Sequence, residues 1–277
     1  MNEARSSGPV IDRDAAAALI EPLTGLVVRA GTAILAVDRL AMKVDGKPDG
    51  SPVTEADLAA DRIIGEGLAR LFPDVPALSE ERAHLAKPPY EGSFFLIDPL
   101  DGTKEFVAGR SEFTVNLALV TNGTPLLGII GAPALGLVWR GLVGRGAERL
   151  TTAQKSVAEP IHTRTLPQRG DPWIAAVSRS HADIRTEAFI EARPGAIRQV
   201  LGSAVKFGRL AEGAADIYPR LAPTSEWDVA AGHAVVTAAG GKVTDAQGGD
   251  LQFGKARQGF IVPEFIAWGD PAAVLQR

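Results

Sequence analysis

Two aspartates, Asp98 and Asp101, stand three residues apart in the stretch Phe94-Phe-Leu-Ile-Asp-Pro-Leu-Asp-Gly-Thr-Lys-Glu-Phe106. The apolar run before Asp98 reads as a buried strand, Pro99 and Gly102 as a turn, and the residues after it as the start of a helix. Carboxylates delivered into one turn suit a hard cation such as Mg²⁺, which takes oxygen ligands. Backbone N–H groups at a new helix N-terminus suit a phosphate. A cation site and an anion site in one turn point to phosphoryl chemistry.

Further acids fall at the ends of other predicted elements. Glu80 ends a short strand, and Asp228 follows Trp227 near the start of a later helix. Carboxylates from separate elements can converge on two or more cations, and metals ~3.5–4 Å apart activate a water and stabilise a leaving oxygen. A solitary acid at a strand end is ordinarily a solvated loop group. The Asp98–Asp101 pair is set apart by Pro99, Gly102 and Thr103, which restrict its geometry. The chain has no cysteine, and Ser178 with His181 forms no serine-hydrolase elbow. A coordinated water is therefore the expected nucleophile, with Thr103 and Asp57 to orient it if the fold brings them together. Asp57 has a second reading, because an acid at the third helical position stabilises the helix dipole in any case.

Anion-binding groups are expected at three junctions. Gly202-Ser203 precedes a predicted helix carrying Lys206, Arg220 follows a strand ending at Tyr218, and Ser178-Arg-Ser-His181 lies between a strand and a helix. Such junctions offer N–H groups to phosphate, although a single basic residue there is more often simply solvated. Gly144-x-Gly146 lacks a third glycine and lies among strands, so it is no nucleotide loop.

The elements that must position these residues are legible in outline. Asp14 to about Leu40 reads as one or two helices broken near Pro22 or Gly25, and Lys43–Pro52 as a polar loop. Thr54-Glu-Ala-Asp57 resembles a capping box opening a helix to about Leu71. Val75–Ser79 and Phe94–Ile97 are strand candidates. From Phe113 to Leu150 β-rich segments alternate with glycines, with a hairpin turn at Asn122-Gly123, giving an antiparallel meander. After a polar boundary at Val157–Asp171, strands at Trp173–Val177, Ala196–Val200, Asp216–Tyr218 and Lys242–Thr244 alternate with helices at His181–Glu191, Ser203–Glu212 and Glu226–Ala239. That alternation predicts α/β layering. The expected division is a flexible leader at 1–14, an α+β metal-binding half at 15–156, and an α/β half at 157–277 that completes the site.

Bulk properties limit the function class. The 277 residues are 45% hydrophobic and 22% charged, ordinary for a globular protein with a substantial core. A net charge of -4 argues against binding a nucleic-acid polymer, which is usually met by a basic excess, and leaves a small anionic substrate open. Without cysteine there are no disulfides and no thiolate-bound zinc. No apolar run approaches the ~20 residues of a membrane helix, and Met1–Asp14 has no apolar secretory core, so a cytoplasmic protein with no integral membrane association is expected.

Taken together, Val53-Thr-Glu-Ala-Asp57, Leu78-Ser-Glu-Glu81, Asp98-Pro-Leu-Asp-Gly-Thr103 and Trp227-Asp228 resemble, in order and spacing, the inositol-monophosphatase-like superfamily of metal-dependent, lithium-sensitive phosphatases. The resemblance runs from about Ala30 to Thr244. Lys104-Glu105-Phe106, Ser178-Arg-Ser-His181, Gly202-Ser203 with Lys206, Ala211-Glu-Gly213, Tyr218-Pro-Arg220 and Pro223-Thr-x-x-Trp-Asp-x-Ala-Ala-Gly-His233 are most similar to its bacterial 3′(2′),5′-bisphosphate nucleotidases. The resemblance implies an α/β (α+β) fold, a layered α/β/α/β/α sandwich of the sugar-phosphatase type with two packed halves. It implies Mg²⁺ ligands at Glu80, Asp98, Asp101 and Asp228 with the Leu100 carbonyl, and a water polarised by Thr103 with Asp57. Amides of Gly102 and Thr103 would hold the scissile phosphate, with Asp228 beside the substrate. Ser203, Lys206 and Arg220 would meet the nucleoside or a second phosphate, and Glu81 would support the ligands.

The implied reaction is removal of the 3′-phosphate of 3′-phosphoadenosine 5′-phosphate, with the sulfated precursor as a second substrate. The rivals are an inositol monophosphatase or fructose-1,6-bisphosphatase of the same superfamily. A non-catalytic Mg²⁺ and nucleotide sensor is a more distant one, since it would be expected to lack a ligand or Thr103. Either a monomer or a homodimer is compatible with the resemblance.

Overall fold

The computed structural model describes residues 8–39, 41–46, 52–86, 88–152, 157–180, 183–255 and 258–276. The first half begins with α1 (Arg13–Ala17) and α2 (Ile20–Ala36). The helix break falls at Ala18-Leu19, not at Pro22 or Gly25 as expected. Pro22 lies in the first turn of α2, where its missing N–H would have had no intrahelical partner. The expected leader is pinned from Gly8 on, where Gly8 N donates to Glu91 O at 3.2 Å and Pro9 O accepts from Ser93 N at 2.9 Å. The polar loop expected over 43–52 is bracketed by two short strands, β1 (Val44–Gly46) and β2 (Pro52–Thr54), which pair antiparallel.

Helix α3 (Glu55–Leu71) starts at the predicted capping box. Then come β3 (Ala77–Ser79), a 3₁₀ turn at Glu80–Leu85, β4 (Ser93–Asp101) and the short α4 (Thr103–Val107). The meander follows as β5 (Thr114–Thr121), β6 (Thr124–Ala132), β7 (Leu137–Leu142) and β8 (Gly146–Thr151), with β9 (Glu159–Ile161) added beyond the expected half boundary. Among the described residues these strands form a seven-stranded sheet in the order β3-β4-β5-β6-β7-β8-β9. Asn122 at φ 51° and Gly123 at φ 79° close the β5–β6 hairpin, both left-handed as a tight primed turn requires.

The second half carries β10 (Ile174–Ser178), α5 (Ile184–Glu191), β11 (Ile197–Leu201), α6 (Val205–Ala211), β12 (Ile217–Arg220), β13 (Thr224–Ser225) and α7 (Glu226–Ala238). After them come β14 (Lys242–Thr244), β15 (Ile261–Val262) and β16 (Phe265–Trp268). A five-stranded sheet has the order β11-β10-β12-β16-β14, so the last strand inserts between two earlier ones. No feature of the sequence pattern anticipated that placement.

Alternation along the central strands assigns the layers. Phe95, Ile97, Val115, Leu117 and Leu119 pack with α2 and α3. Their neighbours Phe94, Leu96, Ala118 and Val120 turn to the other face and pack with Phe207 of α6 and Val235 of α7. Those two helices also meet Tyr218, Val243 and Phe265 of the second sheet, so one core spans both halves. The outer face of that sheet packs Ala175, Ile217 and Trp268 on Ile190 of α5. The result is the layered α/β/α/β/α sandwich that the sequence led us to expect. Among the described residues no helix is long and apolar enough to cross a membrane.

Candidate active site

A one-residue irregularity in β4 sets the geometry of the two aspartates. Asp98 lies opposite Asn116 and Asp101 opposite Thr114, so three steps on β4 match two on β5. Residues three apart on a regular strand face opposite sides of a sheet. The extra residue at Pro99-Leu100 cancels that, and both carboxylates fall on the face shared by Thr114 and Asn116. Proline is tolerated there because the bulge interrupts the ladder. Leu100 N donates to Asp98 Oδ1 at 3.0 Å, which closes the turn. Gly102 then takes φ 90°, a conformation that disfavours side chains, and a Cβ there would lie 3.2 Å from that of Ser203.

Two capping boxes deliver two more acids. Thr54 N and Oγ1 both donate to Asp57 Oδ2 at 2.7 Å, so the third residue of α3 is held rigidly and buried. Ser225 N donates to Asp228 Oδ2 at 3.2 Å, and Thr224 Oγ1 donates to the same oxygen. The Ser225-x-x-Asp228 spacing repeats Thr54-x-x-Asp57, a signal available in the sequence that our reading missed. Glu80 enters from the turn after β3, which pairs parallel to β4.

Carboxylate oxygens of Glu80, Asp98 and Asp228 lie within 4.8 Å of one another, although the residues come from three separate elements. Asp101 is not part of that mutual set. It lies near enough to feel Asp228, and burial together with that negative neighbour raises its pKa to about 6, against the pull of Lys206 and Arg220. Asp101 Oδ2 accepts from Thr114 Oγ1 and Asn116 Nδ2, each at 3.4 Å. Our sequence reading did not single out these two residues. Their i, i+2 spacing on a strand facing the turn was the available clue. An all-oxygen donor set with crowded negative charge fits a hard divalent cation.

The Thr103 hydroxyl lies 3.0 Å from Asp57 Oδ1 and 3.1 Å from the Leu100 carbonyl oxygen. Thr103 and Leu100 line a cavity of about 180 Å³ with Glu80, Asp98, Asp101, Asp228, Lys206, Arg220 and Ser203, while Asp57 stands behind Thr103 and is not among the lining groups. Lys206 Nζ donates to Ser203 O at 2.6 Å and stands 5.2 Å from the Tyr218 ring centre. Burial lowers the Lys206 pKa to about 8, with Asp101 acting the other way and Arg220 adding to the depression. Burial likewise pushes the Tyr218 hydroxyl pKa up. Ser180 and Ser178 line the same cavity, while His181 lies outside the described residues. Glu81 lies beside Glu80 on the 3₁₀ turn and is not among the cavity-lining groups.

With this geometry in view, comparison with known proteins is consistent from end to end. The sequence profile of the inositol monophosphatase family matches residues 16–271. The 3′(2′),5′-bisphosphate nucleotidase CysQ of Shigella flexneri is 39% identical over 258 residues, covering 89% of this chain and 98% of that protein. CysQ of Escherichia coli strain K12 is 39% identical over 256 residues, with 89% and 98% covered. Among solved structures, CysQ from Bacteroides thetaiotaomicron, a bacterial member of the inositol monophosphatase family, matches with a TM-score of 0.75 at 32% identity, covering 91% of this chain and 97% of that one. A match spanning nearly the whole chain, in sequence and in fold, leaves one conclusion: the chain belongs to the inositol monophosphatase family.

Proposed function

We propose that this protein is a Mg²⁺-dependent phosphatase that hydrolyses the 3′-phosphate of 3′-phosphoadenosine 5′-phosphate to AMP and phosphate, with the sulfated precursor as a second substrate. The observation that carries this reading is one cavity lined by groups of both charges. The Glu80, Asp98 and Asp228 carboxylates converge on it, with Asp101 near Asp228. Lys206 and Arg220 line the same cavity and act on Asp101. Carboxylates that hold cations for one phosphate and basic groups that meet another suit a substrate with two phosphates. The 39% identity to nucleotidases over 89% of the chain favours a nucleotide over an inositol or fructose phosphate.

Glu80, Asp98, Asp101, Asp228 and the Leu100 carbonyl would hold the cations. Bound there, a divalent cation supplies a Lewis acid that acidifies water and neutralises charge on phosphoryl oxygens. The chain's own groups do the rest. Thr54 donates twice to Asp57 Oδ2, which orients the carboxylate so that Oδ1 accepts from the Thr103 hydroxyl. With its proton directed to Asp57, Thr103 Oγ1 turns a lone pair toward the cavity, where it accepts a hydrogen bond from the attacking water. As the water oxygen bonds to phosphorus and the bond to the leaving oxygen breaks, the water's proton passes to Thr103 Oγ1 while the Thr103 proton passes to Asp57 Oδ1. The amides of Gly102 and Thr103 face the scissile phosphate at the start of α4. Asp228 lies beside the departing oxygen, and Ser203, Lys206 and Arg220 hold the distal phosphate. Positioning and charge compensation carry phosphoryl transfer of this kind, and no phosphorylated side chain is required.

The proposal includes a cytoplasmic location and leaves the functional unit as a monomer or a homodimer. The test is phosphate release with Mg²⁺ from 3′-phosphoadenosine 5′-phosphate, inositol 1-phosphate and fructose 1,6-bisphosphate, with and without lithium. A kcat/KM about 100-fold higher for the nucleotide, about 2.7 kcal/mol in transition-state binding, supports the reading. Comparable rates would make the protein a broad sugar-phosphate phosphatase, and no Mg²⁺-dependent release from any of them would remove the assignment.

A further inference from the structure

Glu112 lies between α4 and β5 in the first half of the molecule, yet its carboxylate bonds to residues of the second. Its Oε2 accepts from Arg179 Nη2 at 2.5 Å and from Gly202 N at 3.1 Å. Arg179 follows β10 and Gly202 follows β11, so one carboxylate grips the ends of two parallel strands. Arg179 N also donates to Leu201 O at 3.2 Å, which ties those ends to each other.

The grip on Gly202 is a close approach. A Cβ there would lie 2.5 Å from the Glu112 carbonyl oxygen and 2.9 Å from the Glu112 Cβ. The next residue, Ser203, is held at φ 41°, which side chains other than glycine seldom adopt. Such a conformation persists only when its surroundings impose it. Here they do, because Gly202 is anchored on Glu112, Ser203 Oγ lies 3.0 Å from Thr114 Oγ1, and Ser203 O receives Lys206 Nζ at 2.6 Å. The place of the Lys206 ammonium therefore depends on where Glu112 holds the turn before it.

We propose that Glu112, with Arg179 as its partner, is a positioning residue that sets the distance between the acidic turn and the Ser203–Lys206 group, and thereby the preference for substrates with a second phosphate. This rests on the bisphosphate reading above. Neither residue touches the reacting phosphate in this scheme. Their loss alters the binding of the distal phosphate and leaves the chemical step alone.

The experiment compares 3′-phosphoadenosine 5′-phosphate with adenosine 3′-monophosphate, which lacks the distal phosphate, in the wild type, Glu112→Gln, Arg179→Gln and the double variant. Glutamine at 112 keeps an acceptor for Gly202 N–H but gives up the ion pair. Each single variant is expected to raise KM for the bisphosphate about tenfold with kcat within about twofold, and to leave kcat/KM for the monophosphate within about twofold. The double variant should be no worse than either single one, since both remove one interaction. Thermal midpoints within a few degrees of the wild type separate this from unfolding, and Arg179→Gln tests the pair independently if Glu112→Gln is unstable. An equal loss for both substrates, or an unchanged KM for the bisphosphate, overturns the proposal while the bisphosphate reading stands. A wild type that treats both substrates alike overturns that reading and the proposal with it.

Discussion

The Thr103 hydroxyl lies 3.0 Å from Asp57 Oδ1 across a separation of 46 residues in the chain. One partner opens α4 and the other occupies the third position of α3, so the contact joins the starts of two helices. Thr54 N and Oγ1 both donate to the other carboxylate oxygen, Oδ2, which orients Asp57 so that Oδ1 meets the Thr103 hydroxyl.

Loss of that contact should appear in turnover more than in binding. Positioned proton transfer contributes about 10²–10⁴-fold. Thr103→Val is expected to lower kcat by about that factor with little change in KM, while Thr103→Ser keeps most of the activity. Asp57→Asn should act through the same hydroxyl, so the double variant should be scarcely slower than Thr103→Val. Steady-state kinetics of the four proteins decide it, and additive losses would show that the two residues act separately.

Asp101 illustrates a site that opposes stability. Its folded pKa, raised to about 6 from 3.8, means that the folded state binds more protons than the unfolded one between those values. Cation-free stability should therefore fall as pH rises from about 4 through 6, by about 1–3 kcal/mol. Asp101→Asn removes that penalty. In EDTA at pH 7.5 it should raise the thermal midpoint, while phosphatase activity drops by at least about 100-fold. A lower midpoint in EDTA would contradict the charge-crowding account.

Thr224 supports Asp228 from outside the carboxylate cluster, donating to the oxygen that Ser225 N also meets. Groups that orient metal ligands typically contribute 10–100-fold in affinity or activity. Thr224→Val, which keeps the shape and removes the donor, should raise the Mg²⁺ concentration for half-maximal activity by about 10-fold or more. The check is a Mg²⁺ titration at saturating substrate. An unchanged titration curve would mean that the capping box alone orients Asp228.

His233 offers a pH effect away from the chemistry. It lies on α7 with its ring 5.7 Å from that of Phe253, and burial depresses its pKa to about 4. The unfolded state takes up the proton first, near 6.5, so stability is complete above that value and declines as pH falls toward 4. The decline amounts to about 3 kcal/mol. His233→Leu should flatten this part of the stability profile, measured as urea midpoints from pH 7 to 4. Identical slopes for the two proteins would remove His233 from the account of acid sensitivity.

Local chemistry determined much of this protein without reference to the fold. The Asp98–Gly102 turn, the Thr54–Asp57 capping box, the Asn122-Gly123 hairpin and the apolar, β-rich runs of β4 and β5 each depend on neighbours a few positions away, and each was legible in the sequence. The matching box at Ser225–Asp228 was equally local and was overlooked. Other features had no local signature. The helix break before Pro22 follows from where Ala18 N–H turns back, and the single extra residue in β4 shows only against its pairing with β5. The insertion of β16 between β12 and β14, and the addition of β9 to the first sheet, depend on which edges remain open once earlier strands have paired. The convergence of Glu80, Asp98 and Asp228, and the grip of Glu112 on Gly202, join elements distant in sequence. Residue types and short spacings state which groups are present and how their own turns are shaped. Their distances across the cavity are set by strand register and by the core shared between the two sheets, energies that no short stretch of chain contains.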